Sequence, residues 1–160
     1  MQQIRTARFT IVGSGPELSR LEDVKQHNLL GSVEFLPQLP QKALFELYGS
    51  HDLFLFPSLH DSGGFVVLEA LSHGLPVVCL DLGAPRDMVT PNSGVVVKNN
   101  SQNTAQLAAT MAREISGLLA SPDKLTVLSA GAVSRAQDVI LAQRIKRFYN
   151  CAMEFIPQTK

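Results

Sequence analysis

Short apolar runs alternate with helix-length segments through the first two thirds of the chain, and helical periodicity alone governs the rest. Arg8-Phe9-Thr10-Ile11-Val12 is short and β-branched, a first strand that runs into Gly13-Ser14-Gly15-Pro16-Glu17. Pro16 suits a first helical turn and Glu17 the positive end of a helix dipole, so a helix is expected to about His27. Gly31 and Ser32 turn the chain into a second strand, Val33–Leu36. Pro37-Gln38-Leu39-Pro40 is a loop stiffened by two prolines. Gln41 to Tyr48 follows as a short helix with Leu44, Leu47 and Tyr48 on one face, ended by Gly49. Leu53–Phe56 is continuously apolar, as in a parallel strand covered on both faces. A polar loop with adjacent Gly63 and Gly64 then enters an apolar helical segment whose one carboxylate is Glu69. Val77–Leu80 is a fourth strand. Gly83-Ala84-Pro85 opens a short helix ending near Val89, Thr90–Gly94 is a turn cluster, and Val95–Val97 is the last strand.

After Asn103 only helices are expected. Leu107, Met111, Ile115 and Leu118 form one stripe. Ser121-Pro122-Asp123 is a helix start, with Ser as cap and Pro in the first turn, and Leu125, Leu128 and Val133 continue a second stripe. Ile145, Phe148, Tyr149, Ala152 and Phe155 form a third. Five strands alternating with helices imply an α/β fold with a doubly wound, mostly parallel, Rossmann-like sheet and trailing helices. Ligands of such sheets bind beyond the C-terminal strand ends, here the loops at Gly13–Pro16, Pro37–Pro40, Pro57–Gly64 and Asp81–Pro85.

The chain has 160 residues, of which 45% are hydrophobic, as expected for one ordinary globular domain. A formal net charge of zero gives no electrostatic reason for a nucleic acid or anionic membrane partner. No apolar run approaches the roughly 20 residues of a membrane span, and the polar N-terminus is unlike a signal peptide. Cys79 and Cys151 form neither a disulfide framework nor a metal spacing, which fits a reducing, cytoplasmic setting, and Cys79 falls inside an apolar strand.

Glu69 is the first chemical candidate. Its neighbours Val66, Val67, Leu68, Ala70 and Leu71 make a helix expected to be packed on nearly all sides, where an ionised carboxylate needs a partner. It is either a ligand-binding carboxylate or the helix's one solvent-facing residue. Asp61, eight residues earlier, is a second hydroxyl or charge contact, or else a cap or turn residue. Gly63 and Gly64 permit positive φ and close approach of a ligand to the backbone, and an anion can sit at the helix N-terminus that follows. Two other motifs fail. Leu18 stands where a dinucleotide fingerprint needs its third glycine, and His60 where a nucleophile elbow around Ser62 needs its first. The four histidines have no metal-ligand pattern, and His73 before Gly74 suits a helix C-terminus.

Pro57-Ser58, Asp61, Gly63-Gly64, Glu69-Ala70-Leu71, Gly74-Leu75-Pro76-Val77-Val78 and Gly83 together resemble the C-terminal, donor-binding domain of retaining glycosyltransferases of family 4, which have the GT-B fold. Val12-Gly13-Ser14-Gly15-Pro16-Glu17 and Asn92-Ser93-Gly94-Val95-Val96-Val97 extend the resemblance over nearly the whole chain. The resemblance implies a transferase that moves a sugar from a nucleoside diphosphate to a glycan or lipid-linked acceptor, in polysaccharide biosynthesis. It implies no metal and no cofactor beyond the nucleotide-sugar substrate. Glu69 would bind ribose hydroxyls. Asp61 would face the donor sugar, and Ser62, Gly63, Gly64, Phe65 and Val66 would meet sugar and diphosphate. Leu36 and Pro37 would line the base, and Gly13 and Gly15 would border the nucleotide.

The chain also departs from that pattern. Asp61 is one methylene shorter than the family's Glu, and Ala84 replaces a second glycine. No residue matches the Arg and Lys that neutralise the diphosphate, Arg86 being the nearest cation. Residues 1–160 are accordingly expected to be a donor-binding domain lacking its opening strand and helix and the N-terminal acceptor domain, and inactive alone. The alternative is a non-catalytic nucleotide-sugar module or subunit that needs a separate acceptor domain or second chain. A phosphosugar epimerase of the same architecture is a third reading, and it would need acid and base residues from the absent domain. Without the opening strand, Arg8–Val12 and Leu53–Phe56 must pair directly or another chain must fill the gap, a possible homodimer through a sheet edge.

Overall fold

The computed structural model describes residues 7–18, 21, 32–59, 63–100 and 103–140. The expected helix beyond residue 21 and the stripe from Ile145 to Phe155 lie outside the described residues. The chain divides into two compact units, Met1–Leu47 and Tyr48–Lys160.

In the first unit, β1 (Phe9–Val12) and β2 (Val33–Leu36) pair in parallel, with Phe9 opposite Val33 and Val12 opposite Leu36. The ladder is extended at both ends. Phe9 N donates to the Ser32 carbonyl at 2.8 Å and Gly13 N to the Leu36 carbonyl at 3.0 Å. A helical turn begins at Pro16, where Leu21 N reaches the Glu17 carbonyl at 3.0 Å. Helix α1 (Gln41–Tyr48) starts directly after Pro40, whose carbonyl accepts from Leu44 N. Leu44 and Leu47 are half-buried, and Tyr48, the first residue of the second unit, is buried.

In the second unit, β3 (Phe54–Phe56), β4 (Val77–Leu80) and β5 (Gly94–Val97) form a parallel sheet in the order β3-β4-β5. Phe54 is opposite Val77, and Val77 opposite Gly94. Successive strand side chains point to opposite faces. All four residues of β4 are buried, so both faces of the central strand are covered, and the continuous apolar run is thereby explained. Burying each such side chain contributes roughly 1.5–3 kcal/mol. The β4–β5 approach is close at one point: a Cβ on Gly94 would lie 2.8 Å from Val77 N.

Helix α2 (Phe65–Ser72) joins β3 to β4 and α3 (Pro85–Met88) joins β4 to β5. Two longer helices follow, α4 (Thr104–Leu119) and α5 (Pro122–Val139). The expected stripe of α4 is its buried face: Leu107, Met111, Ile115 and Leu118. Its start is a capping box in which Asn103 Oδ1 accepts from Gln106 N at 2.9 Å and Gln106 Oε1 from Asn103 N at 3.1 Å. In α5 the expectation is corrected twice. Ser121 occupies the cap position but makes no side-chain capping bond. The buried stripe is Leu128, Ala132 and Ala136, whereas Val133 is partly exposed. Small residues are favoured there because the helix backbone packs closely: a Cβ on Gly131 would overlap the Asn92 carbonyl.

The architecture is α/β with parallel strands and connecting helices, as the strand–helix alternation implied. The five described strands fall in two sheets, β1-β2 and β3-β4-β5, so direct pairing of β1 with β3 is not formed among the described residues.

Candidate functional site

The loop after β3 delivers the chain to the N-terminus of α2. Gly64 is the N-cap, in the left-handed region at φ 64°, and as a glycine it supplies no side-chain capping bond. A side chain at Gly64 would meet both the strain of a positive φ and the Met88 thioether, 3.1 Å from the Cβ position. The Gly64 carbonyl accepts from Val67 N at 3.0 Å and Leu68 N at 3.2 Å, the first bonds of the helix. Phe65 and Val66 carry first-turn amides, which have no intrahelical acceptor. Both side chains are exposed, Phe65 at 73%.

Helix α2 is therefore not packed on all sides, as its composition had suggested. Val67, Ala70 and Leu71 are fully buried, while the first turn opens to solvent at the strand ends. Glu69 is half-buried, one turn beyond Phe65. Its backbone carbonyl is held at the C-terminal end of the helix. Ser72 Oγ donates to it at 2.7 Å, and His73 Nδ1 lies 2.9 Å from it. His73 is the C-cap, as expected.

Behind this turn sits Tyr48, which the sequence reading placed only in a hydrophobic face. It is 6% exposed, edge-on to Phe54 at 5.8 Å and tilted against His73 at 5.5 Å. Burial first, and then the negative charge of Glu69, push its phenol up to about 12. A phenol and a carboxylate far apart in sequence thus share one electrostatic environment, a relation that no local pattern could reveal.

The loop after β4 borders the same helix start. Arg86 is paired with Asp81 at 3.7 Å and with Asp87 at 3.5 Å, and it is exposed. Pairs of this kind contribute at most about 1 kcal/mol each. The short α3 is held by Arg135 from α5, whose Nε donates to the Met88 carbonyl at 2.8 Å and whose Nη2 donates to that of Asp87 at 2.6 Å. That fork fixes Met88 against Gly64.

The structure thus brings Gly63, Gly64, Phe65, Val66 and Glu69 together on one loop and helix. Asp61 and Ser62 lie outside the described residues. Gly13, Gly15, Leu36 and Pro37 belong to the first unit, at the C-terminal ends of β1 and β2, where the Gly13–Leu36 bond joins the two loops. A cavity of about 380 Å³ lined by Thr90, Pro91, Gly94, Val95, Val96, Lys124 and Leu128 opens at the opposite, N-terminal end of β5 and is mainly apolar. Among the described residues no three His, Cys, Asp or Glu side chains cluster to hold a metal ion, and no helix is long and apolar enough to cross a membrane.

The sequence profile of glycosyl transferases group 1 matches residues 1–131. A D-inositol 3-phosphate glycosyltransferase of Thermobispora bispora is 36% identical over 131 residues, covering 79% of this chain and 29% of that protein. A GDP-mannose-dependent alpha-mannosyltransferase of Mycobacterium tuberculosis is 36% identical over 85 residues, covering 53% of this chain and 21% of that one. Sucrose-phosphate synthase from Thermosynechococcus elongatus superposes with a TM-score of 0.74 at 24% identity, over 95% of this chain and 40% of that one. A pneumococcal O-GlcNAc transferase, solved with UDP and GlcNAc, does so with a TM-score of 0.74 at 19% identity, over 92% of this chain and 29% of that one. The chain thus spans under a third of the length of these two curated relatives.

Proposed function

The chain belongs to the glycosyl transferases group 1 family, and from that premise we propose that it is the donor-binding part of a retaining glycosyltransferase that takes its sugar from a nucleoside diphosphate. The observation that carries this reading is the start of α2: a helix N-terminus entered through a left-handed glycine, with a half-buried carboxylate one turn further on. Amides at such an end attract a diphosphate, and the helix dipole adds to that attraction. Glu69 accepts hydrogen bonds from the ribose hydroxyls. The Gly63–Val66 backbone and Asp61 face the phosphate and sugar. During transfer, stabilisation of the negative charge building on the departing diphosphate is the main catalytic contribution.

Calorimetric titration with uridine, guanosine and adenosine diphosphates tests the reading. One of them is expected to bind, and Glu69→Ala to weaken it by about tenfold or more, the cost of a charge-assisted hydrogen bond. Absence of binding to all three would falsify it for this chain. A second reading, a nucleotide-sugar module that does not itself transfer, is favoured by the pairing of Arg86 with two carboxylates, which leaves that cation already compensated. Donor hydrolysis or transfer above background would exclude the second reading.

A further inference from the structure

We propose that Arg135 and Met88 are positioning residues for the glycine turn that receives the diphosphate: the Arg135 fork seats the Met88 thioether against Gly64 and so holds the entry to α2 in its left-handed form; this rests on the donor-binding reading above. The contacts form an unbroken series. Arg135 in α5 donates from Nε to the Met88 carbonyl at 2.8 Å and from Nη2 to the Asp87 carbonyl at 2.6 Å. Those carbonyls stand at the C-terminal end of α3, where no further helical turn bonds them. Two-point attachment of a planar guanidinium fixes the orientation of this helix end as well as its position. Met88 Sδ and Cε each lie 3.1 Å from the Cβ position of Gly64, and Pro85 N, at the other end of α3, lies 3.5 Å from it. Both ends of α3 thus back the Gly64 α-carbon. The Gly64 carbonyl is tied to Val67 N and Leu68 N, but a φ of 64° is one of several angles open to a glycine. That angle sets how the Gly63–Gly64 peptide stands to the first-turn amides of Phe65 and Val66. An unbraced glycine must be ordered when the ligand arrives, whereas a braced one is ordered already. Both residues act through Gly64, not on the nucleotide.

The diphosphate that binds best in calorimetry is titrated into the full chain as wild type, Met88→Ala, Arg135→Ala, Arg135→Lys and the Met88→Ala/Arg135→Ala double variant. Ordering one glycine on binding costs about fivefold to tenfold in affinity. Met88→Ala is expected to lose about that much and Arg135→Ala about fivefold, with Arg135→Lys between the latter and the wild type. Because Arg135 acts through Met88, the double variant is expected to bind within about twofold of Met88→Ala alone. Losses that multiply, or wild-type affinity in either alanine variant, overturn the proposal and leave the donor reading standing. Absence of binding to the wild type overturns the donor reading, and the proposal falls with it. A spectroscopic readout separates bracing from packing, and it keeps the test decisive if an alanine variant does not fold. The chain has four methionines, and isotopic methyl labelling gives each its own signal. Met88→Leu identifies the Met88 signal. Saturating diphosphate is expected to shift that signal in the wild type and to leave that of Met111, buried in α4, in place. A merely structural Met88 gives no shift, and that result also overturns the proposal.

Discussion

Gly131→Ala puts two opposing effects in direct competition. Gly131 lies within α5, where alanine is favoured over glycine by about 1 kcal/mol from helix propensity alone. Yet a Cβ there would lie 2.8 Å from the Asn92 carbonyl carbon and closer still to its oxygen, where ordinary contact begins at 3.4 Å. The Thr90–Ser93 turn must then retreat by at least 3.4 − 2.8 = 0.6 Å. That turn is anchored. Ser93 is fully buried, its Oγ accepts from Thr90 N at 2.9 Å, and its carbonyl accepts from Val77 N at 3.1 Å at the head of β4. Overpacking against backbone costs about 1–3 kcal/mol. Because the obstacle is main chain tied to the central strand, the upper end applies, and the net effect is a loss of about 2 kcal/mol. Gly117→Ala in α4 is the control, since nothing lies within 4 Å of its Cβ position. Urea unfolding followed by far-UV circular dichroism is expected to show a midpoint lower by about 1 M for Gly131→Ala and slightly higher for Gly117→Ala. If both variants are stabilised, propensity alone decides, and the close approach of α5 to the turn is refuted.

Two further outcomes follow from buried groups. The Cys79 thiol is fully buried and is pushed up to about 11, by burial first and then by the charge of Asp81. Its value and that of Tyr48 lie above the ordinary 9 and 10, so the unfolded chain releases these protons first. The stabilisation is complete below pH 9 and is lost as pH rises through about 9–11 for Cys79 and 10–12 for Tyr48, at roughly 2–3 kcal/mol each when complete. A urea midpoint at pH 10.5 (an assay condition) equal to that at pH 8 would contradict this; in a Cys151→Ser background at about pH 8, Cys79 is also expected to resist a thiol reagent until the protein unfolds. Arg135→Ala removes two charge-assisted bonds to α3, at a cost of about 2–3 kcal/mol, while Arg135→Lys recovers only part because one ammonium cannot span both carbonyls as the fork does. Equal midpoints for the two variants would argue against the fork.

Much of this was legible in advance because it is local. The unbroken apolar run of β4 announced a strand covered on both faces, and Pro85 and Pro122 marked helix starts that the structure contains. Adjacent glycines before an apolar helix foretold the approach to Glu69. What stayed hidden depends on partners far away in sequence. Hydrophobicity pointed to Val133, but α5 packs through Ala132, Ala136 and the bare backbone of Gly131, since close approach selects small side chains over greasy ones. Ser121 looked like a cap and forms no capping bond, whereas Asn103 and Gln106 form a full box whose spacing was present in the sequence and unused. Tyr48 read as a hydrophobic residue. Its tie to Glu69 arises only when β3 and α2 bring the two together.

The sheet of the second unit has a consequence for the order in which the chain is made. Its ladders join neighbours in sequence, Phe54 with Val77 and Val77 with Gly94, so closing them requires loops of only 77 − 54 = 23 and 94 − 77 = 17 residues. Such loops close at little entropic cost, and the sheet can form early. But part of its cover comes from α4, which follows the sheet in the chain. A nascent chain that has reached Val97 therefore carries an assembled sheet whose central run, Val77–Leu80, is uncharged, β-prone and incompletely shielded. The hazardous interval in biogenesis lies between β5 and the completion of α4, which is where a chaperone would have the most to do.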